Sequence, residues 1–206
     1  MNILLNAFIV CLLMSGWTGV AAADTTTYTV SASVPQATSV NMGATRVNSA
    51  DNSRSAVSGT ALSFDPMTFN SANQIWLPDH YFAVDVTPGT GAGSTDVTLS
   101  YTEGANPNSG TSGHGLGWKS TATFMKVVGS TETGLSGHGP KKMLKDLSGE
   151  HIVPSEVSGG FLRVYLGIVT KDSSQPIPDP AASEVFTNAD HAGAYDGSLV
   201  ITATVA

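Results

Sequence analysis

Five histidines, sixteen carboxylates and one cysteine carry most of the chemistry open to this 206-residue chain. The histidines, His80, His114, His138, His151 and His191, are scattered. None forms the HxH or HExxH spacing that sets two imidazoles on one metal ion. His114 and His138 share a Ser-Gly-His-Gly core, in "SGHGLG" and "SGHGP". A metal or phosphate loop is one reading of that core; a flexible turn with a polar tip is the plainer one. In "DHYFAVD", Asp79 precedes His80 and Asp85 follows. General acid–base work needs two carboxylates converging in a cleft with their pKa values pushed apart, and nothing in this spacing makes them converge. Ser136, in "GLSGHG", lacks the G-x-S-x-G spacing of a nucleophile elbow, and the Gly-rich loops lack the Lys-Ser/Thr of a P-loop. Asp79, His80 and His151 are the only candidates for a hydrolase's acid–base set, so the chain is not expected to be an enzyme.

Composition narrows the setting. Residues 1–23 hold an apolar run, "ILLNAFIVCLLM", ending in the small-residue stretch "AAA" before Asp24. That is the form of an export signal, and the run is short for a membrane anchor. The mature chain from Asp24 is therefore expected not to insert in a membrane. The only cysteine, Cys11, lies in the signal, so the mature chain has neither disulfides nor a Cys-based metal site. The formal charge of −7 belongs wholly to the mature chain. Mild acidity argues against a nucleic-acid partner, which requires a basic surface.

The elements that must position these residues are strands. Apolar runs recur in "ALSFDPMTF" (61–69), "HYFAVDVTP" (80–88), "STDVTLSYTEG" (94–104), "ATFMKVVGS" (122–130), "GGFLRVYLGIVT" (159–170) and "GSLVITATVA" (197–206). Gly, Pro, Asn or Asp separates them, which predicts an all-β antiparallel sandwich. Alternation sets Tyr81, Ala83 and Asp85 on one face of their strand and Phe82, Val84 and Val86 on the other, leaving Asp85 facing outward. The one helical candidate is "GPKKMLKDLSGE" (139–150), read as a short surface helix or turn, where Met143, Leu144 and Leu147 have helical spacing and Lys141, Lys142 and Lys145 form a basic outer face. Residues 101–118 read as a long Gly/Ser/Asn loop. The segment 171–184, with Pro176, Pro178 and Pro180, reads as extended and stiff.

Both ends of the mature chain read as strands. In "TYTVSASVPQ" (27–36), Tyr28, Val30, Ala32 and Val34 alternate with Thr29, Ser31 and Ser33. At the other end Asp196-Gly197 signals a turn, and Leu199, Ile201, Ala203 and Val205 alternate with Val200, Thr202 and Thr204. A terminal strand pairs by default within its own sheet. The alternative is addition to an exposed edge of a neighbour. Burying Tyr28, Val30, Ala32 and Val34 contributes roughly 5–10 kcal/mol, against a whole-domain stability of about 5–15 kcal/mol. One strand of this kind is enough to hold a fibre together.

The two ends resemble those of bacterial fimbrial major subunits. The likeness is to the alternate chaperone–usher pilins of the colonisation-factor type (alpha-fimbriae), and more broadly to donor-strand pilins. "YTVSASV" (28–34) matches the family's x-T-V-x-A-S-V start, and "AGAYDGSLVITATV" (192–205) matches its A-G-x-Y-x-G ending. The resemblance covers about thirty residues; the middle, roughly 40 to 185, departs from it. It implies a signal at 1–23, a donor strand at 24–36 and a single immunoglobulin-like sandwich at 37–206, with an incomplete sheet that a neighbour's N-terminal strand completes. Tyr28, Val30, Ala32 and Val34 would be the donor plugs. Leu199, Ile201, Ala203 and Val205 would lie on the strand flanking the acceptor groove. The implied partners are further copies of the chain, a periplasmic chaperone and an outer-membrane usher, and no cofactor is implied. The implied product is a surface fimbria that supports adhesion or biofilm formation. Because the donor-like strand comes first in the mature chain, a shaft subunit is expected rather than a two-domain tip adhesin.

A different class of function is a self-contained secreted sandwich that binds a ligand such as carbohydrate, with Trp76, Trp118, Tyr81 and Tyr101 as an aromatic platform. In that reading the first strand pairs at home and the protein is a monomer.

Overall fold

A computed structural model describes residues 23–29, 40–88, 95–104, 114–127, 141–152, 160–170 and 184–205. Two strands buried almost continuously on both faces form the centre of the larger sheet. β6 (His80–Pro88) and β11 (Phe161–Ile168) pair antiparallel, with Val84 opposite Val164. On one side β11 continues to β8 (Ser120–Val127), and then to β9 (Lys141–Met143). On the other, β6 pairs with β2 (Val40–Asn48), which pairs with the short β3 (Arg54–Ala56). The six-stranded sheet thus has the order β3-β2-β6-β11-β8-β9.

A four-stranded sheet lies against it, in the order β1-β12-β7-β10. Its members are β1 (Ala23–Thr29), β12 (Gly197–Val205), β7 (Thr95–Glu103) and β10 (Ser148–Ile152). A separate hairpin joins β4 (Met67–Asn70) to β5 (Ile75–Pro78). Val97, Leu99, Leu199, Ile201 and Ala203 from the smaller sheet pack in one cluster with Phe82, Val84, Val86, Phe124, Leu162 and Val164 from the larger. This shared core makes the fold an all-β sandwich, as the spacing of apolar runs predicts.

The larger sheet is shielded on its other face as well. Tyr81, Ala83, Tyr165 and Val47 form a second buried cluster there. Asp85 shares this face and is not simply solvent-facing. It stands opposite Arg163 across the β6–β11 ladder and accepts two hydrogen bonds, from Arg163 Nε at 2.6 Å and Nη2 at 2.8 Å. Such a forked pair satisfies the buried guanidinium.

Three local expectations are revised. Of the surface helix or turn expected at 139–150 the structure has the turn: the described part, from Lys141, runs through β9, a single 3-10 turn at Leu144–Asp146 and β10. A twelve-residue helix is marginal by itself, and here both flanks find ladder partners in β8 and β7. The turn still buries Leu144 and Leu147, so the apolar spacing reports core contact without α-helical geometry. The only α-helical turn among the described residues is α1 (Leu116–Lys119), within the stretch read as a long loop. "ALSFDPMTF" forms a strand only from Met67; residues 61–66 are irregular.

Candidate functional site

The site that the sequence singles out is the edge of β12. Leu199, Ile201 and Ala203 are buried in the sandwich core, while Val200, Thr202 and Thr204 are half-buried. Val205, the fourth residue of the apolar set, stands opposite Thr95 on β7. One edge of β12 pairs with β7 along the whole strand, from Gly197↔Glu103 to Val205↔Thr95. The other edge carries β1, antiparallel, from Ala23↔Thr204 to Thr29↔Ser198. Within the single chain, therefore, the edge expected to accept a neighbour's strand holds the chain's own first strand. Tyr28 stands opposite Leu199, Thr26 opposite Ile201 and Asp24 opposite Ala203. Val30, Ala32 and Val34 lie outside the described residues.

The Tyr-x-Gly signal before β12 has a local physical cause. The Tyr195 ring packs edge-on against Phe186, with centroids 4.9 Å apart, and its hydroxyl donates to the His191 carbonyl at 3.1 Å. That bond closes the loop leading into the strand. Gly197 is buried, and a Cβ there would collide with the Tyr101 hydroxyl. The Tyr101 ring crosses this glycine so that its hydroxyl can donate to Glu103 Oε1 at 2.9 Å. Burial and the neighbouring Glu103 carboxylate push the Tyr101 phenol well above its ordinary pKa, so it remains a donor. Glu103 Oε2 in turn accepts the Gly117 N–H at 3.1 Å. A Cβ on Gly117 would sit 2.6 Å from the Tyr101 ring.

The four aromatics of the platform reading do not meet on one surface. Tyr81 is a core residue, and Tyr101 lies under Gly197 and Gly117. Trp118 is held between His114, stacked at 3.7 Å and 6°, and the Lys145 ammonium, 4.3 Å from the ring centroid. Trp76 alone opens onto a cavity, of about 520 Å³, which it shares with Phe64, Met67, Phe186, Tyr195 and Asp65. Its indole N–H donates to Asn188 Oδ1 at 2.9 Å.

The acid–base candidates are separated in the same way. His80 is buried, with Nδ1 2.6 Å from Asp79 Oδ1 and Nε2 2.8 Å from the Ser63 carbonyl. The hydrogen bond from His80, then that from Arg46, holds the Asp79 carboxyl below the usual carboxylate range. This is a structural clamp on the 63–65 segment. His151 lies on β10, opposite Thr98, in the other sheet. His191 is exposed, and Ser136 and His138 lie outside the described residues. No group of three metal-ligating side chains occurs among the described residues.

Sequence spacing misses one cluster. Lys119 is buried at 2% exposure and meets Asp190, Glu184 and the Val185 carbonyl. The partners are 65 to 71 positions away, so no local pattern announces them. The available signal is a lysine directly before a strand whose residues are nearly all buried.

Comparison with known protein families, with curated proteins and with solved structures returns no match. The likeness to fimbrial subunits therefore rests on the two terminal motifs.

Proposed function

We propose that this chain is a structural subunit of a bacterial surface fibre, joined to further copies of itself by exchange of the N-terminal strand. The observation that carries this reading is the position of β1. Among the described residues it is paired along one edge only, on β12, and the chain continues from it into the apolar alternation "VSASV". A strand held by a single ladder detaches without opening the rest of the sandwich, and an identical strand from a neighbour fits the vacated edge. Home pairing is then the resting form of a subunit and exchange its polymerising form. Export through the periplasm, a chaperone that covers the β12 edge and an outer-membrane usher belong to the same reading. So does a role in adhesion or biofilm growth.

The test compares the chain from Asp24 with one lacking residues 24–35, by thermal melting and light scattering. The shortened chain is expected to melt at lower temperature and to be rescued in trans by a synthetic peptide of residues 24–36. The longer chain is expected to form oligomers whose size grows with concentration. A longer chain that stays monomeric at every concentration, with a shortened chain that ignores the peptide, overturns the proposal.

A second reading, a monomeric module for carbohydrate, draws on the cavity beside Trp76. An aromatic wall with carboxylate and amide groups at its rim is the usual composition of a small-ligand pocket. Asn188 is already engaged by Trp76 and Asp190 by Lys119, which leaves Asp65 as the lining carboxylate nearest to solvent.

A further inference from the structure

We propose that Lys119 and Asp190 form an intramolecular isopeptide bond, with Glu184 as the proton carrier. This inference is independent of the fibre reading. An amine and a carboxylate are held in contact where water is excluded: Lys119 Nζ lies 2.8 Å from Asp190 Oδ1, and their side chains are 3% and 7% exposed. The Phe186 ring lies 5.4 Å from the same nitrogen and forms an apolar wall. A second carboxylate completes the arrangement, with Glu184 Oε2 3.4 Å from Lys119 Nζ. His114 Nδ1 stands 3.2 Å from the other oxygen of Glu184.

Each group has a role in amide formation. Proton transfer along the 2.8 Å contact turns the ammonium and carboxylate into an amine and a carboxylic acid, so neither of these two buried groups stays ionised, while the more exposed Glu184 remains a carboxylate. The lone pair of Nζ then attacks Asp190 Cγ, forming the C–N bond. The developing negative charge falls on Asp190 Oδ2, which already accepts the Thr187 backbone N–H at 2.7 Å and faces its hydroxyl at 3.4 Å. These donors act as an oxyanion hole acts in acyl transfer. Glu184 takes one proton from the nitrogen and returns it to the departing Oδ1 hydroxyl. The Cγ–Oδ1 bond breaks and one water leaves. The nitrogen keeps one proton as the amide N–H, Glu184 ends as it began, and no oxidant or co-reactant is needed. Fixed contact of this kind corresponds to effective concentrations of about 10⁵ M or more, which is how condensation proceeds without an activating group.

The product is a covalent ring that joins the start of β8 to the loop before β12 and encloses β8, β9, β10 and β11. Pulling on the two ends of the chain would then leave that ring closed.

Intact-mass spectrometry of the purified, denatured chain decides the matter. The expected result is a mass lower than the sequence requires by one water. A branched peptide linking Lys119 to Asp190 is expected after trypsin, with no cleavage at Lys119. Glu184→Gln, which keeps the size and shape of the side chain, is expected to retain the full mass or to lose water at least tenfold more slowly. Its fold is checked by circular dichroism. A wild-type chain of full mass, cleaved normally at Lys119, overturns the proposal whatever the variants do. Water loss at an unchanged rate in Glu184→Gln removes Glu184 from it.

Discussion

At the scale of single residues, close approach governs the start of β12. Gly197 is buried under the Tyr101 hydroxyl, and the room left by its missing side chain is what lets Tyr101 reach Glu103. Gly197→Ala must displace that ring or the strand. The expected cost is about 1–3 kcal/mol, the range of overpacking a filled site, read as a lower midpoint in urea. Pairing it with Tyr101→Leu, which withdraws the obstructing ring, is expected to make the two costs less than additive. Fully additive costs would show that the contact is not the source. The glycine in the terminal motif is thus explained by one neighbour 96 positions earlier, which no local reading of "AYDGSLV" reveals.

At the scale of elements, the two strands of the candidate site differ in how they are held. β12 has ladders on both sides and sends Leu199, Ile201 and Ala203 into the core. β1 has one ladder and no strand beyond it among the described residues. Local opening therefore costs β1 less than β12. Hydrogen exchange on the chain from Asp24 is expected to show the amides of residues 25–29 exchanging at least tenfold faster than those of residues 199–203. Equal protection would mean that β1 opens only with the whole sandwich, and strand exchange would then require global unfolding. β6, β7, β8, β11 and β12 are visible as apolar runs in the sequence, whereas β2, β3, β5 and β10 are not among those runs. The 141–147 segment differs from its reading in another way. Leu144 and Leu147 face the core from a 3-10 turn, and apolar spacing of three does not distinguish that turn from one turn of α-helix.

At the scale of the whole molecule, the question is whether β1 stays at home. The register offers a direct lock, since Thr27 stands opposite Val200. Cα atoms of directly opposed antiparallel residues lie about 4.5–5.5 Å apart, within disulfide range. With residues 1–23 removed the chain has no other cysteine. The double variant Thr27→Cys, Val200→Cys is expected to close an internal disulfide under oxidation and to remain monomeric. It is expected to recover concentration-dependent oligomers on reduction. Oligomers that persist unchanged in the oxidised variant would place the association on another surface. The Lys119–Asp190 linkage would act at the same scale, holding the region from β8 to β11 as one closed unit while the terminal strands exchange.

The sequence by itself determined the all-β class, the strand character of residues 27–29 and 197–205, and the absence of cysteine after Cys11. Periodicity, turn residues and composition are local properties of a chain and can be read along it. The tertiary structure alone decided that β1 lies on β12, that Trp76 opens onto a cavity while Tyr81 does not, and that Asp85 faces Arg163. It also brought Lys119 to two carboxylates from a distant loop. These are pairings between residues tens to more than a hundred positions apart. They follow from which strand edges meet and which side chains share a buried volume, and the order of the residues does not contain that information in any local form.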